Sequence, residues 1–276
     1  NANEVWVVNH LSDSVSVVRL DGTPRVLRTL QVGDEPRDIV FAGAARDRAF
    51  ITAAARGQNR PAFSASSLVT AGQGRADVWV FDAAAVTETL NGNPLIILTL
   101  FADVPRGLAV SADGSRVYAA PFMSGNRTTT LHRDAVGNNK PQPRTNVENV
   151  NAPGTGLIVK FDGSTWRDEA GTDWNAKVKF SLPDLFSIDA NAAIPVVTGQ
   201  VSGLGTTLFN LAVHPLSGAV FASNTEAQNH IRFEGPGNRA TTVRGRLAES
   251  RISVVDVAAN RVDAVHLNKH LDFSLP

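Results

Sequence analysis

Arg37 and Arg106 occupy matching places in two copies of one short pattern, Pro36-Arg37-Asp38-Ile39-Val40-Phe41 and Pro105-Arg106-Gly107-Leu108-Ala109-Val110. Two guanidinium groups held at one end of neighbouring strands can clamp a carboxylate or a phosphate, because each planar fork matches a pair of oxygens. Each arginine can equally pair with an acidic neighbour, Glu35, Asp38 or Asp103. A second polar concentration runs from Asn224 to Glu234. There Glu226, His230, Arg232 and Glu234 offer a docking surface, a metal site or ties between adjacent sheets. Both groups are candidates for ligand or partner binding.

Other chemistry finds less support. Six histidines are scattered, and none shows the His-x-His, His-x-x-x-His or His-Glu-x-x-His spacing of a zinc site. His10, His132 and His230 fall in loops expected on one face, which leaves their convergence as the remaining metal reading; no metal site is assigned. Asp82, Asp162 and Asp256 each follow a Val-rich strand and read as acceptors for turn amides rather than as paired catalytic carboxylates. Gly72-Gln73-Gly74 and Gly203-Leu204-Gly205 lack the strand-turn-helix setting of a phosphate loop, and no Gly-x-Ser-x-Gly elbow occurs. No catalytic residue is assigned.

Composition narrows the classes further. The 276 residues are 43% hydrophobic and 19% charged with net charge +0, enough apolar material for a sizeable core. Charge balance gives a nucleic acid or an anionic membrane nothing to pull on, and no apolar run reaches the roughly 18 residues of a membrane span. Neither nucleic-acid binding nor membrane insertion is expected. The chain has no cysteine, so it holds no disulfide, thiolate metal site or covalent haem site, and the cofactor stays open. It starts at Asn1 without a cationic-then-apolar leader, as a processed export signal or a trimmed chain would leave it.

The elements that must position these residues repeat. A Val-rich strand recurs as Val15-Ser16-Val17-Val18-Arg19, Val78-Trp79-Val80-Phe81-Asp82, Ile158-Val159-Lys160-Phe161-Asp162 and Ile252-Ser253-Val254-Val255-Asp256. Each copy follows a strand with one aromatic: Trp6, Phe50, Tyr118 or Phe221. The arginine-bearing strands, together with Phe209–Val213, supply an inner strand, followed by a tight polar hairpin turn. Candidates for an outer strand are Arg25–Val32, Pro94–Phe101, Lys177–Leu182 and Arg261–Leu267. A unit that cannot bury its own apolar face must stack on copies of itself. The expected fold is all-β: a propeller of four-stranded antiparallel blades, about four of them visible in a single domain over residues 1–276.

Val7-Val8-Asn9, Ser14-Val15-Ser16-Val17-Val18 and Val32-Gly33-Asp34-Glu35-Pro36 together resemble the YVTN repeat family, with Trp6-Val7-Val8-Asn9 in the place of the Tyr-Val-Thr-Asn strand. Later copies, such as Tyr118-Ala119-Ala120-Pro121, keep only the aromatic. The resemblance covers the strands of all four units. It implies a bacterial extracytoplasmic binding or scaffold domain, in the periplasm or secreted. The Asn224–Glu234 stretch resembles one in bacterial propeller proteins that continue into a di-haem peroxidase-like cytochrome region.

The intervals between Arg19, Asp82, Asp162 and Asp256 all exceed the about 40–45 residues of a plain blade. The excess is placed in long insertions at 55–76, 121–155, 183–207 and 224–250. Strands alternate in direction, so these connections emerge on one side, with Gly163–Asn175 as the longer loop of the other. The first blade lacks its inner strand. Two readings follow, a larger ring of which this is part, which is favoured, or a small four-bladed ring. An open array needs a protein partner or the remainder of a longer chain to cover its edge. The leading function is binding or scaffolding through the loop-rich face. The alternatives are the propeller part of a c-type cytochrome or peroxidase-like redox protein, and a metal-dependent propeller hydrolase or lactonase.

Overall fold

Alternating apolar and polar residues rich in valine and aromatics favour half-buried strands. In a computed structural model they form antiparallel sheets, and blades 3 and 4 are joined into one eight-stranded sheet by the single pair Thr207–Met123. The structure describes residues 3–68, 70, 73–84, 92–124, 127–139, 149–151, 157–178, 183–227 and 247–271. Blade 1 has three strands, β1 (Glu4–Asn9), β2 (Ser14–Arg19) and β3 (Arg25–Gln31). Blade 2 has four, β4 (Asp34–Ala42), β5 (Arg48–Ala55), β6 (Ala76–Asp82) and β7 (Ile96–Leu100). Blade 3 begins with β8 (Asp103–Val110) and β9 (Arg116–Met123).

The chain then leaves the blade. A separate small sheet follows, β10 (Thr128–Leu131), β11 (Leu157–Phe161) and β12 (Trp166–Arg167), with the short helix α1 (Arg133–Val136) between its first two strands. Blade 3 resumes with β13 (Leu185–Asp189), paired to β9, and β14 (Val196–Val201). Blade 4 comprises β15 (Thr207–Val213), β16 (Val220–Ala227), β17 (Ala248–Asp256) and β18 (Arg261–His266).

Two expectations are corrected here. Ile158–Asp162 is not the third strand of blade 3: β11 belongs to the small sheet, and Leu185–Asp189 takes the place beside β9. Residues 183–207 are accordingly not an excursion but carry the outer half of blade 3, whose outer strand is β14; of the expected Lys177–Leu182, residues 179–182 lie outside the described residues. Gly163–Asn175 likewise belongs to the inserted sheet, not to a blade turn. The small sheet has its own core of Leu131, Val136, Leu157, Val159, Trp166, Trp174 and Val178. That core explains how an amphipathic strand of the same pattern is buried without joining a blade.

Three apolar clusters hold the blades together, one per interface. Val15, Leu30, Ile51, Trp79 and Phe81 join blades 1 and 2. Phe50, Val78, Val80, Val117, Phe186 and Ile188 join blades 2 and 3. Tyr118, Leu185, Leu204, Leu208, Val220 and Val255 join blades 3 and 4. Among the described residues no such cluster joins blade 4 to blade 1, so the stack is a partial propeller. Its end faces carry exposed apolar side chains, Val5, Val7 and Val26 on blade 1 and Val265 on blade 4.

All three inner strands carry a bulge, which in β15 falls at Leu208/Asn210 without a proline. Pro36 and Pro105 have no N–H to give the ladder, and register shifts follow at Pro36/Ile39 and Pro105/Gly107. Asp38 then serves the freed amides. Its Oδ1 accepts from Ile39 N at 2.9 Å and its Oδ2 from Leu108 N of the next blade at 2.9 Å. Fully buried Thr52 completes the latch, accepting from Asp38 N and donating to Arg106 O, each at 3.1 Å.

Phe50 is fully buried between blades 2 and 3, so Phe50→Ala is expected to lower global stability by about 3–5 kcal/mol in urea unfolding. Trp174→Ala should instead loosen only the inserted sheet. Hydrogen exchange is expected to show faster amides in β10–β12 with β8 and β9 still protected, and equal loss of protection in both would contradict the separate core.

Candidate functional site

The connection from second to third strand leaves every blade at the same end, as do the short runs into the inner strands. The strand ends from which the long stretches between β5 and β6, β9 and β13, and β16 and β17 depart therefore share one face; residues 228–246 lie outside the described residues. Arg37, Arg106 and Glu226 all lie on elements reaching that rim.

Arg37 is engaged. Its Nη2 donates to Glu35 Oε2 at 3.0 Å, and His10 Nε2 lies 3.9 Å from the same oxygen. Glu35 itself sits in the left-handed region, φ 52°, where its N–H donates to Asp13 Oδ1 at 2.9 Å. Val104, the corresponding residue of blade 3, has φ 49°, an uncommon conformation for a β-branched side chain. Asp34 lies beside them and has its pKa raised, first by burial and then by the charges of Asp13 and Glu35. Its carboxylate is so close to Gly57 that a Cβ there would overlap it, and Gly57 also has φ +56°.

The first excursion is tied down by charge. Asp77 is fully buried and receives Arg60 Nε at 2.7 Å and Thr99 Oγ1 at 2.9 Å, with Arg56 Nε at 3.7 Å. Asn59 Nδ2 donates across the interface to Val32 O of blade 1 at 2.9 Å. The segment after β5 is thus anchored to two blades, and removing one member of so buried a set strands the others.

Arg106 differs from Arg37. Its guanidinium carbon stands 4.8 Å from the ring centre of Phe122, which in turn meets Phe209 edge-on at 5.8 Å. Among the described residues no carboxylate pairs with it. The two arginines therefore have different partners, an acid for one and an aromatic ring for the other.

Glu226 bridges elements. Its Oε2 accepts from Arg251 Nη2 at 2.7 Å and its Oε1 lies 3.7 Å from Lys160 Nζ of the inserted sheet. Arg251 also donates to Leu204 O at 3.1 Å. His230, Arg232 and Glu234 lie outside the described residues. His10 and His132 make local contacts: His10 Nδ1 lies 3.3 Å from Pro36 O, and His132 Nδ1 accepts from Asp134 N at the start of α1. Among the described residues no three His, Asp or Glu side chains converge as a metal cage. The turn aspartates accept backbone amides, Asp82 from Ala84, Asp162 from Ser164 and Thr165, and Asp256 from Ala259.

One buried acid was not apparent from the sequence. Asp184 precedes β13, and its Oδ2 accepts from Gly203 N and Leu204 N at the start of blade 4. Its Oδ1 is buried without a partner, while the nearby Ser124 hydroxyl donates to Gly205 O. Arg127 lies against Gly203. Burial pushes the Asp184 pKa up to about 7, against the lowering effect of the two amides, Ser124 and Arg127. Arg251, Glu226 and Lys160 complete the charged surroundings of this loop. Asp184 stands where Asp77 stands in blade 2, three residues before the paired Ser187 and Val80, a match hidden as long as the third strand of blade 3 is sought at Ile158–Asp162.

No protein-family model matches the chain, and no curated protein matches its sequence. Solved structures similar to it include the nidogen/laminin complex, at 12% identity and TM-score 0.44 over 97% of this chain and 61% of that one. The hydrazine synthase of Kuenenia stuttgartiensis follows at 13% identity and TM-score 0.38, over 96% and 62%. Dihydro-heme d1 dehydrogenase NirN in complex with DHE gives 11% identity and TM-score 0.37, over 96% and 44%. The chain thus spans less than two thirds of each of these.

Asp184 gives a pH test. The native carboxyl keeps its proton up to about pH 7, whereas its ordinary value is 3.8. The stability this contributes is complete below the lower value and is lost as pH rises through the higher one. Asp184→Asn mimics the neutral acid, so urea midpoints of the two proteins should agree near about pH 4 and diverge by about pH 8, with the asparagine variant the more stable. Parallel curves for both proteins would contradict this assignment.

Proposed function

We propose that this chain is a binding or scaffold domain that engages a protein partner across the face carrying its long excursions. The observation that supports this most directly is the placement of those excursions. Three of them leave from equivalent strand ends, and blades need only short turns there to be stable. Two are built into the blades, one by the Asp77 cluster and one by the core of the inserted sheet, so the surface they present is fixed rather than trailing. Arg106, stacked on Phe122 at the same rim, offers a cation to an acidic group of the partner.

The resemblance of the strand motifs to YVTN repeats supports the same reading and a periplasmic or secreted setting. A further sheet, from a partner or from a longer chain, is proposed to cover the apolar faces of blades 1 and 4. In the redox alternative any covalent haem would be carried outside these 276 residues, which contain no cysteine.

Site-specific photo-crosslinking in the native source tests the proposal. A benzophenone amino acid at Ser64 or Arg133, both exposed on the excursion face, is expected to give a discrete adduct with one partner protein. The same probe at Asp113 or Leu216, exposed on the opposite face, should give none. Equal labelling from both faces, or adducts only from the second pair, would overturn it.

A further inference from the structure

A cleft of about 670 Å³ lies on the other face, between blades 3 and 4. That is within the roughly 300–1,000 Å³ range of small-molecule sites. Its floor is a cross-strand triplet on blade 3: Tyr118 of β9, Ser187 of β13 and Gly199 of β14, in direct register. Its far wall comes from the turn region of blade 4, with Asp256, Arg261 and Asp263.

The same protein supplies a control. The corresponding triplet of blade 2 is Phe50, Val80 and Ile96, again in direct register. There all three side chains are apolar and belong to the cluster that fills the interface with blade 3. In blade 1 the triplet is Trp6, Val17 and Arg28, and large side chains border a smaller cleft of about 580 Å³. Only blade 3 presents two hydroxyls and a missing side chain.

The serine does not serve the fold, and the glycine leaves open space beside a bulge. The Ser187 residue is 2% exposed, and its hydroxyl has no hydrogen-bond partner, a cost a valine would not carry. Gly199 is in a strand interior, and a Cβ built on it would meet nothing nearer than Ser187 at 3.9 Å. Its φ is not positive, but it flanks the register shift of the β13–β14 pair, where a glycine is common, so it is the open space above it that leaves room for a ligand. The Tyr118 hydroxyl has no partner among the described residues either, and burial raises its pKa, so it stays a neutral donor.

The lining defines the ligand class. Arg116 and Arg261 balance Asp256 and Asp263, and Arg261 Nε already donates to Asp263 Oδ2 at 3.1 Å. The remaining groups are hydroxyls and amphipathic ring surface. A net anion would face two carboxylates, and an apolar body would strand the hydroxyls. We propose that this inter-blade cleft binds a neutral sugar of one or two rings, seated on Gly199 with its hydroxyls on Ser187, Tyr118, Arg116 and Asp263. This site is independent of the partner face.

Tyr118 is the chain's one tyrosine, so ring-labelled tyrosine gives a single NMR signal at the cleft. Titration with glucose, galactose, N-acetylglucosamine and maltose is expected to move that signal saturably for at least one sugar. Gly199→Val should fill the seat and weaken the response by about tenfold or more. Ser187→Val, which copies Val80 of blade 2, should also weaken it while leaving the melting temperature equal or higher, which separates lost binding from lost folding. No saturable shift with any of these sugars up to about 100 mM, a range that reaches millimolar affinity, would overturn the proposal. So would an unchanged response in both variants, or a stronger response to acetate or phosphate than to the sugars.

Discussion

Each sheet in this protein is held by the sheet beside it. A four-stranded blade has two faces, and in blade 2 both are covered, so β5 and β6 are buried almost end to end. Under that constraint any polar group in a middle strand must find its partner locally or across an interface. Thr52, Asp77 and Ser253 are all fully buried, and each is bonded within a tight network. The polar latches therefore follow the apolar stacking: they fix the register of one blade on the next where the hydrophobic clusters alone would permit sliding.

Stacking also makes the two ends of the sheets chemically different. One end receives the long excursions, with ion pairs such as Arg60–Asp77 and Glu226–Arg251 binding them to the blades. The other end receives short Asp-capped turns, and blades diverge there. Whether the wedge between them is filled depends on three side chains. Phe50, Val80 and Ile96 close it at one interface, and Tyr118, Ser187 and Gly199 leave it open at another.

Most of this architecture was readable from residue patterns, because period-two strands and aromatic positions repeat with the blades. The failure in blade 3 has a physical origin. Ile158-Val159-Lys160-Phe161-Asp162 satisfies every local rule of a third strand, including an aspartate that caps its turn at Ser164 and Thr165. The true strand, Leu185-Phe186-Ser187-Ile188-Asp189, satisfies the same rules. Local pattern cannot say which of two competent strands pairs with β9; only the separate core around Trp166 and Trp174 decides it. Candidate site residues were legible in type but not in pairing. Arg37 and Arg106 sit at equivalent positions, yet one meets Glu35 and the other Phe122, a difference set by residues far apart in sequence. Asp184 matches Asp77 of blade 2, but the match shows only once Leu185–Asp189 is known to be the third strand.

The interruption of blade 3 sets an order of assembly. During synthesis β8 and β9 emerge as a hairpin, but β13, which pairs with β9, follows only after the whole of the inserted sheet has been made. Until then one edge of β9 is open, and open edges invite pairing with other chains. The inserted sheet has a core of its own, so it can condense in that interval and bring its two ends together. A nascent chain stalled before Leu185 would thus leave the β9 edge unpaired.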